Sequence, residues 1–262
     1  DYFEFDDEFG ASYRELTNQS PVIGALVEPA FSATQGLSFS YTLPEGAFVD
    51  PEGEELRYIA TISGSQTEVS WLQFDPATRT FSGTPGNEDV GSITVTIGAT
   101  DTLSGMVSQS FVINVANVND APVVVAALTD QSATEDQAFS FQIPTGSFKD
   151  IDKVDSLTYT ATLSDGSALP AWLTFDAATQ TLNGTPGNDE VGSLNIKVIA
   201  TDLAGTSASS SFNLNVANVN DAPILVTPLV DQATNEDQLF SYQIPADAFR
   251  DIDKGDTLTY SA

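Results

Sequence analysis

Oxygen-bearing side chains recur in this 262-residue chain at an interval of 101 residues, and cation ligation is the chemistry they could support. Asn117, Asn119 and Asp120 return as Asn218, Asn220 and Asp221, and the loop acids Glu135-Asp136 return as Glu236-Asp237. An Asp-x-Asp pair, Asp150 and Asp152, returns as Asp251 and Asp253, each time ahead of a Leu-x-Tyr strand. An Ala-Thr-Asp triplet places Asp101 and Asp202 at strand ends. Two carboxylates ~4 Å apart repel by roughly 1–4 kcal/mol in partly solvated surroundings, and a shared divalent cation turns that repulsion into attraction. Calcium suits such a set better than magnesium, because it accepts six to eight oxygens in irregular geometry. The alternative is a solvated acidic rim, since an isolated Asp-x-Asp is more often an ordinary turn.

Composition removes most other chemistries. Thirty-seven acids against eight bases give a net charge of −29, which repels nucleic acid and anionic lipid. The absence of cysteine excludes disulfides, zinc–thiolate sites and thiol nucleophiles; the absence of histidine excludes a Ser–His–Asp set. No Gly-rich phosphate loop opens a helix, and the acids recur in every repeat where a catalytic pair needs one pocket. The expectation is a non-enzymatic protein. No apolar run approaches the ~20 residues needed to cross a bilayer, and the chain reads as an internal segment of a longer protein.

The elements that must position these oxygens are strands. Trp71–Pro122 and Trp172–Pro223 align without a gap and share 30 of 52 residues, a period equal to one small domain. Ile93, Val95, Ile97 and Ala99 alternate with polar neighbours, as do Phe111, Ile113 and Val115. Leu194, Ile196, Val198, Ala200 and then Phe212, Leu214 and Val216 repeat the pattern. Such period-two stretches between Gly, Asn, Asp and Pro clusters predict antiparallel strands of an all-β Greek-key sandwich, about seven per domain, with no amphipathic helix. The expected division is a linker or preceding unit at 1–17, repeats at 18–119 and 120–220, and a truncated repeat at 221–262. Chain ends at opposite poles would stack the domains end to end and bring loop acids together at each junction. Trp71 and Trp172 head Trp-Leu-x-Phe strands and are expected to pack rather than to offer sugar platforms. Phe74, Phe111, Phe175 and Phe212 are expected in the core.

The chain resembles cadherin-like repeats, most closely the dystroglycan-type cadherin-like modules of large bacterial surface and secreted proteins. The resemblance is carried by Leu169-Pro170-Ala171-Trp172-Leu173-Thr174-Phe175-Asp176, Thr181, Gly184-Thr185-Pro186, Asp189–Gly192, Ala200-Thr201-Asp202 and Asn218–Pro223. It implies calcium between successive domains, an extracellular or cell-surface location, and adhesion. Carried over by position, the first junction would use Glu88 or Asp89, Asn119, Asp120, Asp150, Asp152 and Asp202. The second would use Glu135, Asp189 or Glu190, Asn220, Asp221, Asp251 and Asp253. The linker departs from the family pattern: it opens with Asn117 or Asn218 and is one residue short. Gln35-Gly36 stands where repeat two has Glu135-Asp136, and the first linker reads Asn18-Gln19-Ser20-Pro21. Fewer or weaker ions are therefore expected than in animal cadherins, with little bound before repeat one.

The function this predicts is a rigidified spacer or adhesive segment of a large surface protein, with calcium and other cell-surface proteins or polysaccharide as partners. The alternative is a carbohydrate-binding accessory module of a secreted polysaccharide-degrading enzyme.

Overall fold

The structure, a computed structural model, describes residues 18–64, 69–153 and 155–261; the acidic stretch at 1–17 lies outside them. The described residues fall into two compact units, one within Asp1–Asp120 and Ile151–Val154, the other within Ala121–Asp150 and Asp155–Ala262.

In the first unit β1 (Val22–Ile23) pairs with β4 (Phe48–Val49). A four-stranded sheet runs β2 (Ala30–Thr34), β9 (Met106–Ala116), β8 (Gly91–Thr100), β5 (Arg57–Gly64), and a three-stranded sheet runs β3 (Phe39–Thr42), β7 (Thr80–Gly83), β6 (Leu72–Asp75). Alternation along β8 and β9 sends Val95, Ile97, Ala99, Phe111, Ile113 and Val115 inward, against Phe81 and Leu72 of the facing sheet. One face buried and one face of Thr and Ser in water is what period-two patterning specifies. One pairing differs from the expected antiparallel order: β2 lies parallel to β9, Ala30 opposite Val112 through Thr34 opposite Ala116. The long loop from β2 through the second sheet makes this crossing possible, because a parallel neighbour cannot be reached by a hairpin.

The second unit repeats the design. Its sheets run β11 (Gln131–Thr134), β18 (Ser207–Ala217), β17 (Gly192–Thr201), β14 (Thr158–Leu163) and β12 (Phe139–Gln142), β16 (Thr181–Gly184), β15 (Leu173–Asp176), with β10 (Val123–Val124) against β13 (Phe148–Lys149). Its core centres on Leu182, Ile196, Val198, Phe212 and Leu214. Both units are thus two-sheet sandwiches with a core each. Helical structure among the described residues is confined to two 3-10 turns, Asn87–Asp89 and Asn188–Glu190.

Trp71 is buried and meets Phe39 edge-on at 6.0 Å, while Trp172 is half-buried against the second core; both pack, as their strand positions implied. Phe111 and Phe212 are buried, but Phe74 and Phe175 are only half-covered, because they lie on β6 and β15 at the edge of the smaller sheets. Beyond β19 (Ile224–Leu225), only β20 (Phe249–Arg250) forms, antiparallel to it. The apolar residues Leu239 and Phe240, between the two, are exposed.

Candidate metal centre

The second unit gathers three carboxylates whose oxygens lie within 4.8 Å of one another: Glu135, Asp221 and Asp253. Each reaches the group from a different element. Glu135 follows β11, where its N–H bonds to the Ala217 carbonyl at 3.1 Å. Asp221 ends the Asn218–Asp221 linker after β18. Asp253 closes the Asp-x-Asp turn after β20, a turn held by the Asp253 N–H on Asp251 Oδ1 at 2.9 Å.

Main-chain and amide donors satisfy one side of this group. The Val219 N–H donates to Glu135 Oε1 at 2.7 Å, the Asp221 N–H to Asp253 Oδ2 at 2.7 Å, and Asn188 Nδ2 to Asp221 Oδ2 at 3.1 Å. The other side has no donors. Glu135 is wholly buried, and its Oε2 has no hydrogen-bond partner; the same holds for Asp253 Oδ1 and for Asn188 Oδ1. Buried oxygens without donors are rare in folded proteins, and each costs about 1–3 kcal/mol, more where charged. Three acids at this separation add roughly 1–4 kcal/mol of repulsion per pair. A hard cation answers both problems, and the donor set of carboxylates with an amide carbonyl fits calcium. An open cleft with walls that include Asn188, Asp221 and Arg250 borders the group and supplies a route from solvent.

The other acids group separately. Asp251, Asp253 and Asp256 form a second close set that shares Asp253, and Asp150, Asp155 and Asp202 form a third. Asp202, at the end of β17, also accepts the Thr206 N–H at 2.8 Å and the Thr206 hydroxyl. Asp155 and Asp256 escaped the sequence reading, although Asp-x-Asp-x-x-Asp recurs with the same 101-residue period and signals them. Asn188 escaped too, hidden in a Gly-Thr-Pro-Gly-Asn stretch that reads as turn chemistry alone.

Several of the expected ligands also bond within the protein. Asp89 and Glu190 cap their own 3-10 turns, accepting the Gly86 and Gly187 N–H groups at 2.8 and 2.9 Å. Asp189 is exposed and belongs to none of the three sets. Asn119 and Asn220 point their amides at the Asp120 and Asp221 carbonyls, at 3.0 and 2.8 Å. In the first unit Glu88 pairs with Lys153 at 3.3 Å. Asp120 accepts from Asn87 Nδ2 at 3.0 Å, and its N–H donates to Asp152 Oδ2 at 2.9 Å.

Ahead of the first sandwich, protein donors meet the acids directly. Asn18 Nδ2 donates to Asp101 Oδ2 at 3.0 Å, the Gly105 N–H to Asp101 Oδ1 at 2.7 Å, and the Gln19 N–H to Glu52 at 3.0 Å. The Asn18 amide, followed by main-chain N–H groups of Gly105, Leu103 and Ser104, holds the Asp101 carboxyl below the usual carboxylate range against the opposing effect of burial. A lowered folded value stabilises above the unfolded pKa of about 3.9 and is lost as pH falls through the folded one. Asn18→Ala should therefore lower Tm at neutral pH, with the gap to the parent closing below the ordinary carboxylate range. A gap that stays constant on acidification would contradict this.

Residues 19–116 and 121–217 each match the family model He_PIG, described as Putative Ig domain. Over 157 residues the chain is 32% identical to the Serine-rich adhesin for platelets of Staphylococcus aureus (strain USA300), covering 60% of this chain and 6% of that protein. The chain thus spans a small fraction of the curated relatives it matches. Among solved structures, Human Mucin-like Protocadherin EC1-2 aligns with a TM-score of 0.52 at 18% identity, covering 73% of this chain and 97% of that one. Mouse Cadherin-23 EC22-24 aligns with a TM-score of 0.52 at 17% identity, covering 81% and 71%. These likenesses establish the cadherin-like sandwich fold.

Proposed function

The chain belongs to the He_PIG family of Ig-like domains, and from that premise we propose that it is a calcium-stabilised spacer or adhesive segment of a large extracellular or cell-surface protein. The observation that carries the calcium reading is the group of donorless buried oxygens on Glu135, Asn188 and Asp253 beside Asp221. The adhesive reading is supported by the staphylococcal adhesin and by the cadherin-like fold. In this role Glu135, Asp221 and Asp253 would hold the ion, with Asp251 and Asp256 adjoining. Asp150, Asp155 and Asp202 would form a further acidic set. The ion would supply fixed positive charge that makes the linker and the Asp-x-Asp turn one stiff piece, and domains joined this way would stack end to end. Partners would be other cell-surface molecules. The packed Trp71 and Trp172 speak against a sugar-stacking role.

Extracellular calcium modules bind at roughly 10⁻⁴–10⁻³ M. At a hundredfold excess over Kd, binding to the folded state alone stabilises by about 2.7 kcal/mol. Calcium should raise Tm in calorimetry and sharpen the extended features of small-angle scattering, and chelator should reverse both. Curves indifferent to chelator would overturn the calcium reading.

A further inference from the structure

We infer that one side chain sets cation dependence in each sandwich: Glu135 leaves its seat to a divalent cation, whereas the amide of Gln35 takes the cation's place in the equivalent seat. This deepens the calcium reading and rests on it for the Glu135 seat.

The two seats share most of their hydrogen bonds and differ at this residue. Both residues follow the parallel strand, and their N–H groups bond to the Ala116 and Ala217 carbonyls at 3.0 and 3.1 Å. The next N–H in each, of Gly36 or Asp136, bonds to the Pro85 or Pro186 carbonyl at 2.8 Å. Gln35 Oε1 accepts the Val118 N–H at 3.3 Å, as Glu135 Oε1 accepts that of Val219. Asn87 donates to Asp120 Oδ2 as Asn188 does to Asp221 Oδ2, and the Asp120 N–H donates to Asp152 as that of Asp221 does to Asp253.

The remaining atom decides the difference. Gln35 Nε2 donates to Asp120 Oδ2 at 3.3 Å and to Asn87 Oδ1. Glu135 has an acceptor there, so the equivalent Asn188 Oδ1 has no donor and Glu135 Oε2 joins it without one. The substitution therefore removes two N–H bonds and adds one negative charge at the same point. Lys153, beside Asp152, reaches Glu88 Oε2 at 3.3 Å and also donates to the Glu88 carbonyl, and Lys254 holds the same sequence position beside Asp253. A neutral amide with two donors does locally what the second seat requires from solution.

The test exchanges the residues in the full chain. Calcium alone is titrated by isothermal calorimetry into the parent, Glu135→Gln and Gln35→Glu, and Tm is measured with calcium and with chelator. The parent must bind calcium; if it does not, the calcium reading itself fails. Given that, Glu135→Gln should bind one ion fewer and melt higher than the parent in chelator. Gln35→Glu should bind one ion more and melt lower in chelator, with calcium restoring it. Unchanged stoichiometry in both variants alongside a calcium-binding parent would overturn the assignment, as would a Gln35→Glu protein that calcium fails to rescue.

Discussion

Phe111→Ala is expected to cost the first sandwich about 3–5 kcal/mol, the range for deleting a buried aromatic ring. Phe111 is almost wholly buried, and three other rings surround it: Phe31 at 5.2 Å, Phe81 at 5.5 Å and Tyr41 at 5.6 Å. Edge-on contacts of this kind add to the area term, and the ring joins residues of both sheets, so little can collapse into the void. Against a domain stability of about 5–15 kcal/mol, the loss is large. Since each sandwich has its own core, denaturation of the variant should show an early transition from the first unit and a retained one from the second. A loss below about 1 kcal/mol would mean that the ring cluster does not organise the core.

Gly184→Ala should have an effect of comparable size for a different reason. A Cβ on Gly184 would lie 2.1 Å from the Trp172 carbonyl oxygen and 2.9 Å from its ring, and one on Gly83 would lie 1.8 Å from the Trp71 oxygen. Contacts with backbone cannot be relieved by turning a side chain. β16 must shift, and with it the pairing of Gly184 to both Phe139 and Leu173. Overpacking costs about 1–3 kcal/mol, occasionally more, and this site belongs at the upper end. Gly86→Ala is the control, since its Cβ would meet nothing closer than 3.8 Å and should change stability by about 0.5 kcal/mol or less. Equal losses in urea denaturation of the two variants would refute the steric account.

These glycines show how far the sequence is legible. Alternation alone located β8, β9, β17 and β18, because a one-residue slip would expose every core side chain. The Gly-Thr-Pro-Gly stretch reads as a loop, yet its first glycine is the last residue of a strand, and only the distance to Trp71 or Trp172 reveals why nothing larger fits. The parallel placement of β2 and β11 is equally silent, since period-two patterning carries no information on strand direction. Among the acids, periodicity identified Glu135, Asp221 and Asp253 as recurring oxygens. It could not distinguish them from Asp89 and Glu190, which recur just as faithfully because every copy of the 3-10 turn needs its cap. The contrast of Gln35 with Glu135 was visible as a departure from the repeat. What it means lies in the bond from the amide to Asp120, a long-range contact that repeat periodicity does not encode.

The second strand of each sandwich, β2 or β11, lies parallel to the long strand that closes it, in register over five residue pairs in the first unit and four in the second. The chain therefore enters at one end of that ladder and leaves at the other. Tension drawn along the polypeptide slides the two strands lengthwise past each other, so the rungs are sheared together instead of being peeled one at a time. A segment built this way is suited to bearing mechanical load, whatever it is attached to.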